Sequence, residues 1–381
     1  MKKLLAFMKK DTVLTIAALL AVISMVVVHP DRRYLEYVDL RTLGILFGLM
    51  TIVGGLQRMG IFDRLAECLI RKVSGRMAIA MVLVMLCFFS SMLITNDVAL
   101  ITFVPFAIIL LRKQKEMFDE KWVLRIVVMQ TVAANLGSML TPVGNPQNLY
   151  LFGLTQMGIG DFILLMLPYS VAALLMLAGW IVLVCFCSRK GACQEGVSSK
   201  IQKKEGSIGE STAVCRWKMW GYLGLFAVSL LVVGRILPWY VLTVLVFGYA
   251  VFFDRKTLKT VDYSLLATFF ALFLFIGNLG RMEMFRNFLE QMIQGRERIT
   301  AVVASQVMSN VPAAILLSGF TDSVSELIVG TNLGGLGTLI ASMASLISFK
   351  YIAREYPGQR GRYLGLFTIV NVIFLLVLLF M

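Results

Sequence analysis

The chain has 381 residues, 59% of them hydrophobic and only 15% charged, with a mean hydropathy of +0.83. That balance excludes a soluble domain, and apolar runs of about 17–25 residues exclude the ten-residue alternation of an outer-membrane barrel, leaving an all-α, polytopic membrane protein. The net charge of +14 would suggest nucleic acid in a soluble protein, but here the basic residues lie between apolar runs and report orientation, so no nucleic acid is expected.

Residues 1–28 carry Lys2, Lys3, Lys9 and Lys10 ahead of an apolar stretch. No small-x-small cleavage site follows, so the stretch reads as a retained first helix and not as a signal peptide. A second helix is expected at about 40–57, where Gly44 and Gly48 form a small-xxx-small pair that admits a close neighbour. Residues 58–76 alternate charge with Ile61, Phe62, Leu65, Leu69 and Ile70 at helical spacing. They are too polar to cross and suit a helix lying along the interface.

The apolar run 77–111 is interrupted by Thr95-Asn96-Asp97. An ionisable residue at membrane depth faces a cavity or the bundle interior and marks a substrate, ion or proton site. A broken helix is expected at about 122–157, interrupted at 141–148, and an intact one at about 161–187. The Gly, Ser, Lys and Glu of 188–216 predict a solvated linker.

Beyond it come helices at about 217–233, 236–253 and 263–280 and an amphipathic piece at 281–298. A hairpin at about 299–318, turning at Ser309-Asn310, a broken helix at about 323–350, interrupted at 330–338, and a last helix at about 361–380 complete the chain. Cys185, Cys187, Cys193 and Cys215 gather near one loop without a second histidine or a Cys-x-x-Cys pair. No metal centre and no catalytic set can be assembled around the single His29, so neither enzymatic chemistry nor a resident cofactor is expected.

The halves repeat. A shift of 223 residues lays the 33 residues from Val38 on those from Val261 with 12 identities, among them Gly54 on Gly277, Arg58 on Arg281 and Met59 on Met282. A shift of 197 lays Asn135-Leu136-Gly137 and Thr141 on Asn332-Leu333-Gly334 and Thr338. The expected organisation is a first repeat at 1–187, the linker, a connecting helix at 217–233 and a second repeat at 234–381.

With a cytoplasmic N-terminus and the 77–111 run as a re-entrant hairpin, 28 of the 36 Lys and Arg residues fall on the cytoplasmic side. That satisfies the positive-inside rule. Five crossings then precede the second repeat, which enters upside down. Inverted repeats with interrupted helices at matching places are the signature of a secondary transporter with its site near the midplane.

Four interruptions would meet there: tips Thr95-Asn96-Asp97 and Ser309-Asn310, and breaks 141–148 and 330–338. Non-helical backbone at this depth must be buried in protein or line a wet cavity. Helix N-termini after the breaks favour an anion, while carbonyls at the C-terminal ends favour a cation. The candidate substrate- and ion-binding residues are Thr95, Asn96, Asp97, Asn135, Thr141, Pro142, Gly144, Asn145, Asn148, Ser309, Asn310, Thr331, Asn332, Gly334 and Thr338. If sodium is the coupling ion, Asn96, Asp97 and Asn310 are its expected ligands. Asp97 is either a sodium ligand, a carrier of the coupled proton, or a cap on the returning helix.

The segments SSMLITNDVALITFVPF, TPVGNPQNLYLF, SNVPAAILL and GTNLGGLGT resemble the ion transporter superfamily, in particular its citrate-transporter-like permeases. That superfamily includes divalent anion:sodium symporters, arsenite/antimonite permeases and sodium/proton antiporters. The resemblance implies re-entrant hairpins, a homodimer held by scaffold helices, and elevator-like movement of a transport domain. The dicarboxylate branch has Ser-Asn-Thr at both tips. This chain keeps the Asn in each but has Thr95-Asn96-Asp97 and Ser309-Asn310-Val311, and the first tip looks more like the arsenite/antimonite branch.

The expected function is secondary active transport of a small anion, a di- or tricarboxylate such as citrate or an inorganic oxyanion, coupled to a Na+ or H+ gradient. Arsenite/antimonite efflux and Na+/H+ antiport are the alternatives within the class, and an ion channel is the alternative outside it. The expected location is the inner (plasma) membrane, with the bilayer and a small anionic substrate as partners.

Overall fold

The computed structural model describes residues 12–114, 117–189 and 216–381. The four N-terminal lysines and nearly all of the expected linker lie outside the described residues. In chain order the helices are α1 (Thr12–Val27), the short α2 (Tyr34–Tyr37), α3 (Leu40–Arg58), α4 (Ile61–Ile70), α5 (Arg76–Ser91), α6 (Asn96–Lys113), α7 (Glu120–Gly137), α8 (Pro146–Leu154) and α9 (Ile159–Arg189). After the undescribed stretch follow α10 (Arg216–Val233), α11 (Trp239–Phe253), α12 (Tyr263–Gly280), α13 (Glu283–Ile293), α14 (Glu297–Met308), α15 (Asn310–Ser318), α16 (Val324–Leu333), α17 (Met343–Glu355) and α18 (Arg360–Leu379). The described residues are all-α, and five helices are long and apolar enough to cross a membrane.

Both runs of the expected motifs become helical pairs. α5 and α6 meet at residues 92–95, and α14 and α15 meet at Ser309. At 1.5 Å per residue the nine-residue α15 rises about 14 Å, half the thickness of a hydrocarbon core. α7 ends in a 3₁₀ turn at Ser138–Leu140 and the chain resumes as α8 at Pro146, where the missing N–H of proline costs a helix nothing. The second break differs from expectation. α16 stays helical to Leu333, so Thr331 and Asn332 lie in its last turn and the unwound stretch is 334–342. Gly330 does not unwind the helix; it lets α16 approach α14, since a Cβ there would meet Ala301 Cβ at 2.7 Å. α17 runs to Glu355, past the expected end near 350.

The amphipathic segments form α4 and α13. The expected piece at 281–298 ends earlier, because Gly295 takes φ 74° and α14 starts at Glu297.

Packing exchanges partners between the halves. α1 packs on α12 and α3 on α11, while α17 packs on α6 and α15 on α8. The neighbour admitted by Gly44 and Gly48 is α11, through Trp239 and Leu242. Asp39 and Asp262, the aspartates of the repeated Val-Asp pair, both cap helices, accepting from Thr42 N at 3.1 Å and Leu265 N at 3.0 Å. The residues across from the matched glycines correspond as well: Gly54 faces Thr260 and Gly277 faces Tyr37, again 223 positions apart.

Candidate functional site

Each hairpin tip is held by the unwound backbone of its own half. Asn96 N–H donates to the Gly144 carbonyl at 3.3 Å, and Asn310 N–H donates to the Ala341 carbonyl at 3.0 Å. Gly144 and Ala341 are 197 positions apart, in the register of the repeat. Thr141 Oγ1 donates to the Met92 carbonyl, and its counterpart Thr338 donates to the Gln306 carbonyl at 3.2 Å. Gln306 braces the second break further, since its Nε2 donates to the carbonyls of Gly334 and Leu336, each at 2.9 Å.

The side chains of each break then reach across to the other half. Asn135, at the end of α7, accepts from Asn96 Nδ2 at 3.0 Å and from Ser342 Oγ at 3.0 Å, and donates to Ser345 Oγ at 3.2 Å. Asn332, at the end of α16, accepts from Asn145 Nδ2 at 3.3 Å and donates to Asn148 Oδ1 at 2.6 Å. A shift of 197 carries Asn145 onto Ser342 and Asn148 onto Ser345. The two networks are therefore copies, and each half completes the other. All seven side chains are buried, and buried amides so arranged fix their partners because each unpaired group would cost about 1–3 kcal/mol.

Two buried polar atoms where the first break enters α8 are left without partners among the described residues, Asn145 Oδ1 at the N-cap position and Gln147 Nε2 in the first turn. One acceptor and one donor are thus free to take a ligand at the N-terminus of α8, where the helix dipole favours negative charge. Asp97 does not cap α6. Its carboxylate makes no hydrogen bond among the described residues, and its own N–H is taken by Asn96 Oδ1 at 2.9 Å. Thr95 stands at the N-cap position without a side-chain bond. Ser309 adopts φ 74° and ψ 154°, a region that is essentially glycine-only and costs about 1–3 kcal/mol for a side chain.

Of the expected site residues, Asn96, Asn135, Asn145, Asn148, Asn310, Asn332, Thr141, Gly144 and Thr338 enter these networks. Pro142 lies buried inside the first break and Gly334 lies at the start of the second. Thr331 turns its hydroxyl back onto the Leu327 carbonyl of its own helix. Asn96 enters the Asn135 network through its side chain, whereas Asn310 bonds through its backbone N–H to Ala341, the neighbour of Ser342 in that same network. Ser342, Ser345, Gln306 and Gln147 were not expected. The signal for the two serines was the same shift of 197, extended a few residues beyond Thr338.

The two ends of the assembly differ. A cavity of about 480 Å³ opens between the end of α8 and the residues after α15, lined by Thr155, Gln156, Ser318, Thr321, Asp322 and Ser325 among others. The corresponding place in the other half, between the ends of α6 and α17, is closed by Arg112. Its guanidinium donates to Glu355 Oε2 at 2.7 Å and to Tyr356 Oη at 3.2 Å and lies 4.8 Å from the Tyr356 ring centroid.

Residues 4–326 match the model of a family described as citrate transporter. The inner membrane protein YbiR of Escherichia coli is 30% identical over 334 residues, covering 86% of this chain and 84% of the relative. An uncharacterized transporter of Methanocaldococcus jannaschii, MJ0456, is 31% identical over 352 residues, covering 92% and 91%. The silicon efflux transporter LSI3 of Oryza sativa subsp. japonica is 30% identical over 208 residues, covering 52% of this chain and 41% of the relative. The matched segment takes in both tips, the first break and the start of α16. The chain belongs to the citrate transporter family of membrane transporters.

Proposed function

We propose that the protein is a secondary active transporter of a small anion, driven by a Na+ or H+ gradient and working by elevator-type alternating access between two inverted repeats. The observation that carries this reading is the reciprocal pair of networks at Asn135 and Asn332. A site assembled equally from two copies of one motif has the two-fold arrangement that alternating access uses. The unpartnered Asn145 Oδ1 and Gln147 Nε2 and the N-terminus of α8 supply contacts for the anion. Asp97, whose carboxylate makes no hydrogen bond among the described residues, serves the coupling ion, as a sodium ligand with Asn96 or as the proton carrier. Asn310 serves the same ion from the second tip. The open cavity at one end and the Arg112 clasp at the other fit a state open to a single side.

On this reading the N-terminus is cytoplasmic in the inner membrane, the cavity faces outward and two copies pair through their scaffold helices. The family match supports a citrate-like di- or tricarboxylate. A second reading, efflux of a hydroxylated metalloid acid such as arsenite, is favoured by one observation: the hydrogen bonds described at the networks come from amides, hydroxyls and backbone groups, with a carboxylate at the tip. The rice relative, by its name an efflux transporter of silicon, supports the same direction.

Purified protein in liposomes, loaded with unlabelled citrate and given trace labelled citrate outside, tests the reading, with arsenite run in parallel. Saturable counterflow of one of the two is expected and selects between the readings. Unsaturable, ohmic current would instead make the protein a channel.

A further inference from the structure

Arg235 stands in the turn between α10 and α11 with φ 62°, in the left-handed region. The turn is a Schellman motif: Ile236 N–H donates to the Leu231 carbonyl at 2.9 Å and Arg235 N–H to the Val232 carbonyl at 3.0 Å. The residue that such a motif places in the left-handed region is usually glycine, because a side chain there is strained. A glycine stands one position earlier, at Gly234, yet the strained place holds an arginine. Local charge does not favour it either. Burial and, next, the charge of Arg41 both push the Arg235 guanidinium below its ordinary pKa.

What the side chain gains is a hold on α8. Its Nη2 donates to the Phe152 carbonyl at 2.9 Å and to the Thr155 carbonyl, and its Cζ lies 4.9 Å from the centroid of the buried Phe152 ring. Carbonyls in the last turn of a helix lack intrahelical partners, and a cation is favoured against them. α8 thus ends on a cap that another part of the molecule supplies.

The contact joins two groups of helices. α10 and α11 pack on α3 and on each other, whereas α8 packs chiefly on α15 and α16. α8 also has the unpartnered Asn145 and Gln147 at its beginning, so Arg235 grips the far end of the helix that starts at the candidate site. The grip lies beside the open cavity, whose wall includes Leu154 and Thr155. Any movement of α8 past α10 and α11 must break both hydrogen bonds and the ring contact.

We infer, on the transport reading above, that Arg235 is a latch. It holds α8 to the turn between α10 and α11 while the cavity is open, and its release accompanies the movement that turns the site to the other side.

The distance between two spin labels tests this without a substrate. Labels at Phe252→Cys in α11 and Ser325→Cys in α16, both exposed positions, report how the two groups sit in the full chain in nanodiscs, with the six native cysteines replaced by alanine. Arginine at 235 is expected to give mainly one distance. Arg235→Gln should raise the share of a second distance about tenfold relative to the first, the effect of losing a hydrogen bond to a charged group. Arg235→Gly, which also relieves the left-handed strain and so protects the fold, should do the same. Arg41→Gln, which removes an equal charge nearby, should not. Unchanged distances in both Arg235 variants would overturn the latch, and with a lowered melting temperature they would leave Arg235 a structural cap on α8. An equal rise in Arg41→Gln would overturn it too, by reducing the effect to general charge. Counterflow in liposomes decides the transport reading separately: saturable counterflow with unchanged distances would remove the latch alone, and ohmic current with Arg235-dependent distances would remove the transport reading alone.

Discussion

Arg58 Nη1 lies 3.0 Å from Asp254 Oδ1, joining the end of α3 in the first half to the end of α11 in the second. Its counterpart under the 223-residue shift is Arg281 with Asp31, at 2.8 Å. Each pair fastens one half to the other just ahead of an amphipathic helix, α4 or α13. Asp254 is the better buried partner, at 14% exposure against 35% for Arg58. A double-mutant cycle on Arg58→Gln and Asp254→Asn should give a coupling of about 0.5–1 kcal/mol, the upper part of the range for pairs still open to solvent. Thermal unfolding of the purified variants measures it.

The same pair sets a pH dependence. Burial works against ionisation of Asp254, but hydrogen bonds from Thr257 and Arg58, with the charges of Arg58 and Lys218, outweigh it and hold the carboxyl below its ordinary 3.8. A carboxylate with a depressed folded value contributes stability that is complete above the unfolded value and is lost as pH falls through the folded one. Wild type should therefore exceed Asp254→Asn by a constant margin above pH 3.8, and the margin should shrink below it. A margin that shrinks already between pH 7 and 5 would contradict the assignment.

Gly137 and Gly334 are counterparts, yet they should tolerate substitution differently. A Cβ on Gly137 would run into the backbone carbonyl of Phe88, whereas one on Gly334 would press on the Ser305 side chain, with Oγ at 2.6 Å and Cβ at 2.7 Å, and on the Gly330 carbonyl at 2.9 Å. Gly137→Ala should cost upwards of about 3 kcal/mol, because α7 must move off α5. Gly334→Ala should cost less, about 2 kcal/mol, since its clashes are longer and fall chiefly on one small side chain. Comparing expression and melting temperature of the two variants checks the order.

Much of this site was legible because its residue types are expensive where they stand. Asn and Asp inside apolar runs have few explanations, and both tips and both breaks were found that way. Ser342 and Ser345 were missed because a short hydroxyl disappears in a stretch such as SMASLIS, where nothing local separates a ligand from a surface residue. Thr331 and Asn332 were placed in unwound chain because glycine-rich composition predicts a break, whereas the close packing of α16 on α14 uses Gly330 as contact surface and keeps the helix. Asp31 and Asp254 were legible too, since the 223-residue register continues upstream of Val38 and lays Asp31-Arg32 and Leu35 on Asp254-Arg255 and Leu258; what only the structure reveals is their pairing with Arg281 and Arg58.

Ser309 offers a test of strain at the second tip. Ser309→Gly relieves a backbone conformation worth about 1–3 kcal/mol and adds about 0.5–1 kcal/mol of unfolded-state freedom, so a net gain of about 1 kcal/mol is expected. Ser309→Ala keeps the strain and gains nothing. The glycine variant should melt higher than the alanine variant and transport more slowly, since a relaxed tip no longer holds Asn310 in place.

Gradient-driven uptake into liposomes by wild type and Asp97→Asn tests the central claim most directly. Asparagine matches the aspartate in size, and no hydrogen bond to the carboxylate is lost, so the variant should fold and insert normally, as its melting curve would report. Wild type is expected to concentrate the solute selected by counterflow when a Na+ or H+ gradient is imposed, and Asp97→Asn is expected not to. Accumulation by Asp97→Asn with the native dependence on sodium and pH would contradict the account and move the coupling site away from the first tip.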